Sequence, residues 1–185
     1  MKHLARIAAA AVLGHRERLR GLLQAALDDG VEGAVLQEAI LQVFLFAGYP
    51  RAIDAFEELR ALVDTPPPSE PAGDYEARGR ELFARIYGDR AGTVEEWLRD
   101  LHPDFARFTL QHAYGQVMTR PFLPAREREL MAVAMLAALG FKGQLQAHVR
   151  GALHCGAIPD DVREAAADYP GSSELIEKTL ASAGG

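Results

Sequence analysis

Glu129 and His148 are the two side chains of this sequence whose types and spacing best suit proton transfer. Glu129 stands 11 residues before Gly140, and His148 stands 8 residues after it. If antiparallel helices flank a turn at Gly140, a rise of about 1.5 Å per residue separates the two side chains by only ~4–5 Å along the axis. Histidine exchanges protons near neutral pH, and a neighbouring carboxylate orients the ring and stabilises its charged form. The spacing therefore predicts an acid/base pair.

Both residues also have an ordinary structural interpretation, which the sequence leaves open. Glu129 follows Arg126, Glu127 and Arg128, so it also fits a solvated charge in the first turn of a helix, where the helix dipole favours it. His148 lies in the run Gln-Ala-His-Val-Arg, which also suits a hydrogen-bonded residue at an interface.

Two further residues resemble a metal-binding pair. His154 and Cys155 are adjacent, but neighbouring residues on a helix point in different directions, so we predict no metal site. Cys155 is the only cysteine, which excludes an intrachain disulfide or a dithiol redox centre, and we interpret it as a helix-end residue. A cytoplasmic location is the expectation that follows.

The helices that must position Glu129 and His148 belong to an internal repeat. Residues 129–165 match residues 3–39 without a gap at an offset of 126 positions, which pairs Gly140 with Gly14. Such a repeat indicates that one helical hairpin occurs twice and that each copy covers the apolar face of the other.

The two copies differ at the candidate site. The counterparts of Glu129 and His148 in the first copy are His3 and Leu22. An acid/base pair is therefore expected only in the second copy.

Apolar residues recur at helical spacing along nearly the whole chain, and no stretch alternates as a half-buried strand does. The sequence therefore predicts an all-α fold of tandem helical hairpins. The predicted helices span 3–13, 16–28, 34–47, 50–63, 75–87, 93–101, 103–119, 125–139, 142–154, a short helix from 160, and 172–182. The helix at 93–101 is expected to open with a capping box formed by Thr93 and Glu96.

A proline-rich stretch divides the chain. The segment TPPPSEPAG at 65–73 cannot be helical and is typical of a short, stiff linker. We therefore predict a first repeat at 1–64, a linker at 65–74, and a second repeat with the candidate site at 75–185.

Charge and composition restrict the partners. The net charge of −6 argues against nucleic acid, since such a partner requires a dense basic surface. Residues 101–151 nevertheless hold six basic and three acidic side chains, a local excess that suits a small anionic molecule.

The first residues, MKHLARIAAAAVLGH, imitate a secretory signal. We reject that interpretation because the same run is the repeat counterpart of 129–140, an internal helix. No apolar stretch is long enough to span a bilayer, so we expect neither a transmembrane segment nor a membrane partner.

The stretch HAYGQVMTRPFLPARERELMAVAMLAALGFKGQLQAHVRGALHCGAIPDDVREA, residues 112–165, resembles the decarboxylase branch of the carboxymuconolactone decarboxylase family. The matching features are an aromatic-Gly segment, Arg-Pro before a loop, an Arg/Glu-rich helix start, and His-x-Arg-x-Ala-Leu before a glycine. In the first copy, QEAILQVFLFAGYPRAIDAF is similar to the closing helices of the family.

The resemblance implies an all-α, alkylhydroperoxidase D-like fold and a homo-oligomer, either a trimer or hexamer-like ring or a dimer or trimer of two-copy chains. It also implies a lyase of aromatic compound degradation without a cofactor. Glu129 and His148 match functional positions of the family. Arg120 and Arg150 suit the departing carboxylate and an enolate-like charge, and Tyr114 matches an aromatic residue near the pocket.

The peroxidase branch of the family uses two cysteines, seven and four residues before the histidine. Those positions hold Phe141 and Gln144 here, and neither side chain can replace a thiolate. Thiol peroxidase activity is therefore not expected. Two hypotheses remain: a lyase acting on a small carboxylated lactone or related anion, and a non-catalytic helical assembly or ligand-binding protein.

Overall fold

The structure, a computed structural model, describes residues 2–69 and 73–183, so part of the predicted linker lies outside the described residues. The described residues contain no β-strand, and the predicted all-α fold is confirmed. The α-helices are α1 (Lys2–Leu13), α2 (Arg16–Asp28), α3 (Gly33–Arg60), α4 (Tyr75–Tyr87), α5 (Ala91–Leu101), α6 (Pro103–Phe108), α7 (Ala125–Leu139), α8 (Lys142–His154), α9 (Pro159–Ala165) and α10 (Ser173–Ala183). A π-helical segment, Thr109–Met118, continues α6.

The helical hairpins α1–α2 and α7–α8 turn at equivalent glycines. Gly14 and Gly140 have φ values of 71° and 76°, in the left-handed region that other residues rarely adopt. Gly30 and Gly156, which end the second helix of each hairpin, also have positive φ. The backbone thus repeats the offset of 126 positions found in the sequence.

Helices α1 and α7 pack against each other at the centre of the molecule. Alanines dominate α1, and their small side chains allow the close approach of a neighbouring helix. Each central helix contributes to both halves of the core: Ala5 and Ala9 of α1 pack with α7–α10, while Met131 and Met135 of α7 pack with α1–α3. The two copies therefore share one core.

Two ion pairs show that the copies are related by an approximate two-fold axis. Arg128 of α7 contacts Glu38 of α3 at 2.8 Å, and Lys2 of α1 contacts Glu164 of α9 at 2.7 Å. These two pairs are equivalent under the 126-residue offset. Their surroundings differ, because the first pair is buried and the second lies on the surface.

Helix α3 satisfies the length and composition criteria for a membrane-crossing helix, which the sequence alone did not indicate. It is interrupted at Gly48, where φ is 74° and ψ is 177°. Neither part reaches the ~20 residues that span a bilayer, and its buried face carries Glu38 and Gln42. These features fit a core helix.

The elements between α3 and α7, which belong to the predicted second repeat, form a third apolar cluster over α8. Its core combines α4 (Leu82, Phe83, Ile86), α5 and the π-helical segment. Gly79 and Gly115 allow α4 to cross the π-helical segment closely, because a side chain at Gly79 would overlap the Leu110 carbonyl and one at Gly115 would overlap Tyr75.

Helix boundaries differ from the predictions at two places in this region. Helix α5 begins at Ala91, because the preceding 3-10 turn Gly88–Arg90 already leads the backbone into helical dihedral angles. Thr93 therefore lies inside the helix, and the expected capping box with Glu96 is wrong. The predicted helix 103–119 changes to π-helical hydrogen bonding at Thr109.

Candidate functional site

The hairpin α7–α8 brings Glu129 and His148 into contact. His148 Nδ1 lies 2.9 Å from Glu129 Oε2, so the ring and the carboxylate share a hydrogen bond. The Glu129 side chain is fully buried and that of His148 is 12% exposed. The carboxylate thus fixes the orientation of the ring through Nδ1. The other ring nitrogen, Nε2, is left to contact a ligand.

A glycine on α8 makes room for this contact. Gly151 is buried, and a methyl group at its position would overlap Glu129 Oε2 and the Ile86 side chain. Ile86 belongs to α4, so α4, α7 and α8 meet at Gly151. The absent side chain is therefore the feature that lets a buried carboxylate fit between these helices.

Glu129 has an unsatisfied oxygen. Within the described part of the chain, Glu129 Oε1 is buried and has no hydrogen-bond partner. An unpaired buried carboxylate oxygen is costly, and in this position it adds negative potential beside the histidine ring.

Two tyrosines lie next to the pair. The hydroxyls of Tyr87 and Tyr114 share a hydrogen bond of 3.0 Å. Burial raises the pKa of Tyr114 well above its usual range, and Tyr87 and Glu129 add to the effect. Burial and Glu129 also raise the pKa of Tyr87. Both phenols are therefore neutral hydrogen-bond donors at physiological pH.

The charge of Glu129 also acts on the thiol of Cys155. Burial, followed by the charge of Glu129, raises the pKa of its thiol to about 11, with Arg85 acting in the opposite direction. The thiol is therefore protonated at neutral pH and is a poor nucleophile. Within residues 2–69 and 73–183, no three histidine, cysteine or acidic side chains cluster as metal ligands would.

His148 and Tyr114 line a largely aromatic pocket of about 450 Å³, a size suited to a small molecule. Phe46 of α3 contacts the His148 ring edge-on, with ring centroids 5.9 Å apart. The first repeat thus contributes to the pocket of the second. The lining residues are Phe44, Leu45, Phe46, Tyr87, Val94, Trp97, Leu98, Phe105, Phe108, Thr109, His112, Ala113, Tyr114, Met118, Gln144 and His148.

The structure does not bring the two candidate arginines to this pocket. Arg120 holds both oxygens of Glu38, with Nε 2.9 Å from each of them. Arg150 is two residues beyond His148 and lines an adjoining cavity. Of the residues proposed from the sequence, Glu129, His148 and Tyr114 lie together and Arg120 and Arg150 lie elsewhere.

Sequence reasoning missed Tyr87 and Phe46. Tyr87 lies in no recognisable motif, and Phe46 lies in the family-like stretch QEAILQVFLFAGYPRAIDAF but was not singled out there. Each residue reaches the site from a helix far from the α7–α8 hairpin in sequence. The internal repeat did carry one usable signal. An approximate two-fold relation between the copies places the third helix of one copy, here α3, beside the hairpin of the other.

Comparisons with known proteins show which proteins this chain is similar to. A sequence profile described as the carboxymuconolactone decarboxylase family matches residues 1–61 and 103–169. The chain is 33% identical over 88 residues to 4-carboxymuconolactone decarboxylase of Acinetobacter baylyi, which covers 47% of this chain and 66% of that protein. It is 30% identical over 137 residues to Peroxisomal protein 2 of Schizosaccharomyces pombe, which covers 70% of this chain and 64% of that protein.

The chain thus spans slightly less than two thirds of the length of both of these relatives. The two segments matched by the profile include both helical hairpins and together make up more than half of the chain. The protein therefore belongs to the carboxymuconolactone decarboxylase family.

Proposed function

We propose that this protein is a decarboxylase-like lyase that acts on a small carboxylated lactone or a related anion. The observation that carries the proposal is the buried Glu129–His148 contact at the wall of an aromatic pocket. The similarity to a 4-carboxymuconolactone decarboxylase supports the same class of reaction.

In this proposal His148 is the acid/base residue. Decarboxylation breaks the bond between the substrate carbon and its carboxylate, releases CO₂ and leaves an electron pair delocalised as an enolate. His148 delivers a proton to that carbon, and the Glu129 carboxylate orients the ring through its hydrogen bond with Nδ1. One of the Tyr114 and Tyr87 hydroxyls donates to the other, and the hydroxyl whose hydrogen is not used in that bond is a suitable donor to the enolate oxygen as its charge develops.

The aromatic side chains of the pocket also favour decarboxylation, through their effect on the charge of the substrate. A localised carboxylate charge loses hydration when it enters an apolar pocket, whereas a delocalised enolate loses less. Arg120 and Arg150 were predicted to hold the substrate carboxylate. Those roles stay predictions. Arg120 would have to break its contact with Glu38 in order to bind a substrate.

The test is the loss of carboxymuconolactone, generated in place and followed by ultraviolet absorbance. We expect the wild-type protein to turn over this lactone. His148→Ala should lower kcat by roughly 10²–10⁴-fold, because proton transfer loses its positioned acid. His15→Ala, which removes an exposed histidine outside the pocket, is the matched control and should retain activity.

Equal turnover by the wild type and His148→Ala would refute the role of His148. Absence of turnover in well-folded wild-type protein, for this lactone and for other carboxylated lactones, would instead favour the alternative function.

The alternative is a non-catalytic helical assembly or ligand-binding protein. It is favoured by the mouth of the pocket, where Trp97, Phe105 and Phe108 are each about half exposed. Exposed aromatic side chains of this kind are typical of an interaction surface. Under either function we propose a homo-oligomer of two-copy chains in the cytoplasm.

A further inference from the structure

A second cavity, of about 500 Å³, lies beside the His148 pocket. Its walls are the end of α4 with the turn Gly88–Arg90, the outward face of α8 and the end of α10. Tyr87 and Val94 line both cavities and separate them. Its volume lies within the range of small-molecule sites.

The charged side chains of this cavity have a cationic excess. Arg90 and Arg150 line the cavity together with the carboxylate of Asp89, and His154 lies in the same wall. Elsewhere in the protein, arginines such as Arg80, Arg126 and Arg163 each bind one or two carboxylates. Across residues 2–69 and 73–183, no carboxylate forms an ion pair with Arg90 or Arg150. Two guanidinium groups are therefore available to a ligand.

The wall that carries these groups is held in place. His154 Nδ1 lies 2.8 Å from the Ile86 carbonyl, which fixes the ring against the end of α4. Gly88 adopts a φ of 55°, and a side chain at this position would press on the His154 ring at 3.3 Å. This glycine lets the turn and the end of α8 approach each other. The backbone segments that carry the two arginines are thus held together.

We propose that this second cavity binds a small oxyanion, a carboxylate or a phosphate, through Arg150 and Arg90. Guanidinium groups recognise both kinds of anion by paired, charge-assisted hydrogen bonds. The site is separate from the acid/base pair, since α8 presents Arg150 and His148 to different cavities. Binding here does not depend on turnover at His148.

The test measures anion binding by calorimetry and by the shift in unfolding temperature, at constant ionic strength set with chloride. The probes are succinate, for a carboxylate ligand, and inorganic phosphate. We expect saturable binding of one of them to the wild-type protein, and the stronger probe identifies the class of anion. Arg150→Gln and Arg90→Gln should each weaken that binding by 10-fold or more.

Two controls separate this site from others. Arg60→Gln removes an exposed arginine at the end of α3 and should bind as the wild type does. His148→Ala should also bind normally, even if it abolishes turnover. Circular dichroism establishes that each variant is folded, and Arg90 lies in an exposed turn where a substitution disturbs little packing.

Three results would overturn the proposal. They are the absence of saturable binding of either probe to the wild type, unchanged binding by both arginine variants, and loss of binding in His148→Ala. The last result would place the anion in the aromatic pocket, whereas failure of turnover with intact anion binding would affect only the proposed lyase function.

Discussion

At the scale of single residues, the site depends on one carboxylate kept away from water. Glu129 is fully buried, binds His148 through one oxygen, and influences Tyr114, Tyr87 and Cys155 through its charge. Burial, with the charge of Glu129 added to it, raises the pKa of each of these three groups. The carboxylate therefore acts on the whole group of side chains and not only on the histidine.

Cys155 offers a measurement of the combined effect of burial and the Glu129 charge. Because its pKa is raised to about 11, its thiolate fraction at pH 8 should be on the order of 100-fold below that of an ordinary thiol. We expect slow reaction with dithionitrobenzoate in the folded protein, and a rate that rises with pH up to the region of 11. The same chain in denaturant supplies the reference rate. A folded protein that reacts as fast as the denatured chain at pH 8 would contradict the predicted environment.

The sequence predicted the Glu129–His148 contact because the two residues lie on the two helices that flank the turn at Gly140. The number of residues from the turn to each of them sets their separation along the helix axes. The sequence could not predict what Arg120 does. Its partner Glu38 lies 82 positions away on α3, and only the packing of α3 against the rest of the molecule brings the two together.

At the scale of helices, α8 has one tightly packed glycine and one unrestricted glycine. A side chain at Gly151 would collide with Glu129 and Ile86, whereas one at Gly143 would meet no atom within 4 Å. Both glycines lie in the same helix, so their substitution separates the intrinsic effect of glycine on a helix from the effect of crowding.

Gly151→Ala should therefore destabilise the protein by about 1–3 kcal/mol, because the methyl group forces α4, α7 and α8 apart. Gly143→Ala should instead stabilise it by about 0.5–1 kcal/mol through its better helix propensity. Urea unfolding of both variants measures the difference. If Gly151→Ala proved as stable as Gly143→Ala, the close packing around Glu129 would be wrong.

The limits of helix prediction are also visible at this scale. Hydrophobic spacing located the hairpins well, because their turns are marked by glycine and their buried faces repeat regularly. The π-helical segment at Thr109–Met118 was not predicted, since a change in hydrogen-bond register leaves little trace in composition. Tyr114 lies in this segment, so its contact with Tyr87 could not be foreseen either.

At the scale of the whole molecule, the two repeats form an internal pair around α1 and α7. The buried Arg128–Glu38 contact and the exposed Lys2–Glu164 contact occupy equivalent positions in this arrangement. The sequence revealed the repeat, but not that each copy's third helix contacts the other copy's hairpin. This contact between the third helix of one copy and the hairpin of the other arises from packing. It explains why Phe46 of α3 reaches His148.

The two equivalent ion pairs should differ greatly in their contribution to stability. Glu38→Gln removes the buried charge that binds Arg128 and Arg120, and we expect a loss of about 3 kcal/mol or more in the free energy of unfolding. Glu164→Gln, the equivalent change on the surface, should cost less than ~1 kcal/mol.

Chemical denaturation at several salt concentrations measures both losses, and screening should affect the Glu164 pair more. Similar losses for the two variants would mean that burial does not distinguish the equivalent pairs.

The position of α4 and the π-helical segment has a consequence for stoichiometry. These elements cover α8, whereas α2, its counterpart in the first repeat, packs against α1 and α3 and has no equivalent cover in the described part of the chain. The aromatic pocket therefore lies beside the α7–α8 hairpin, and a ligand that fills this pocket would saturate at one molecule per chain. The two copies of the hairpin therefore differ in role. The second copy carries the candidate acid/base pair, and the first copy supplies part of the wall of the aromatic pocket.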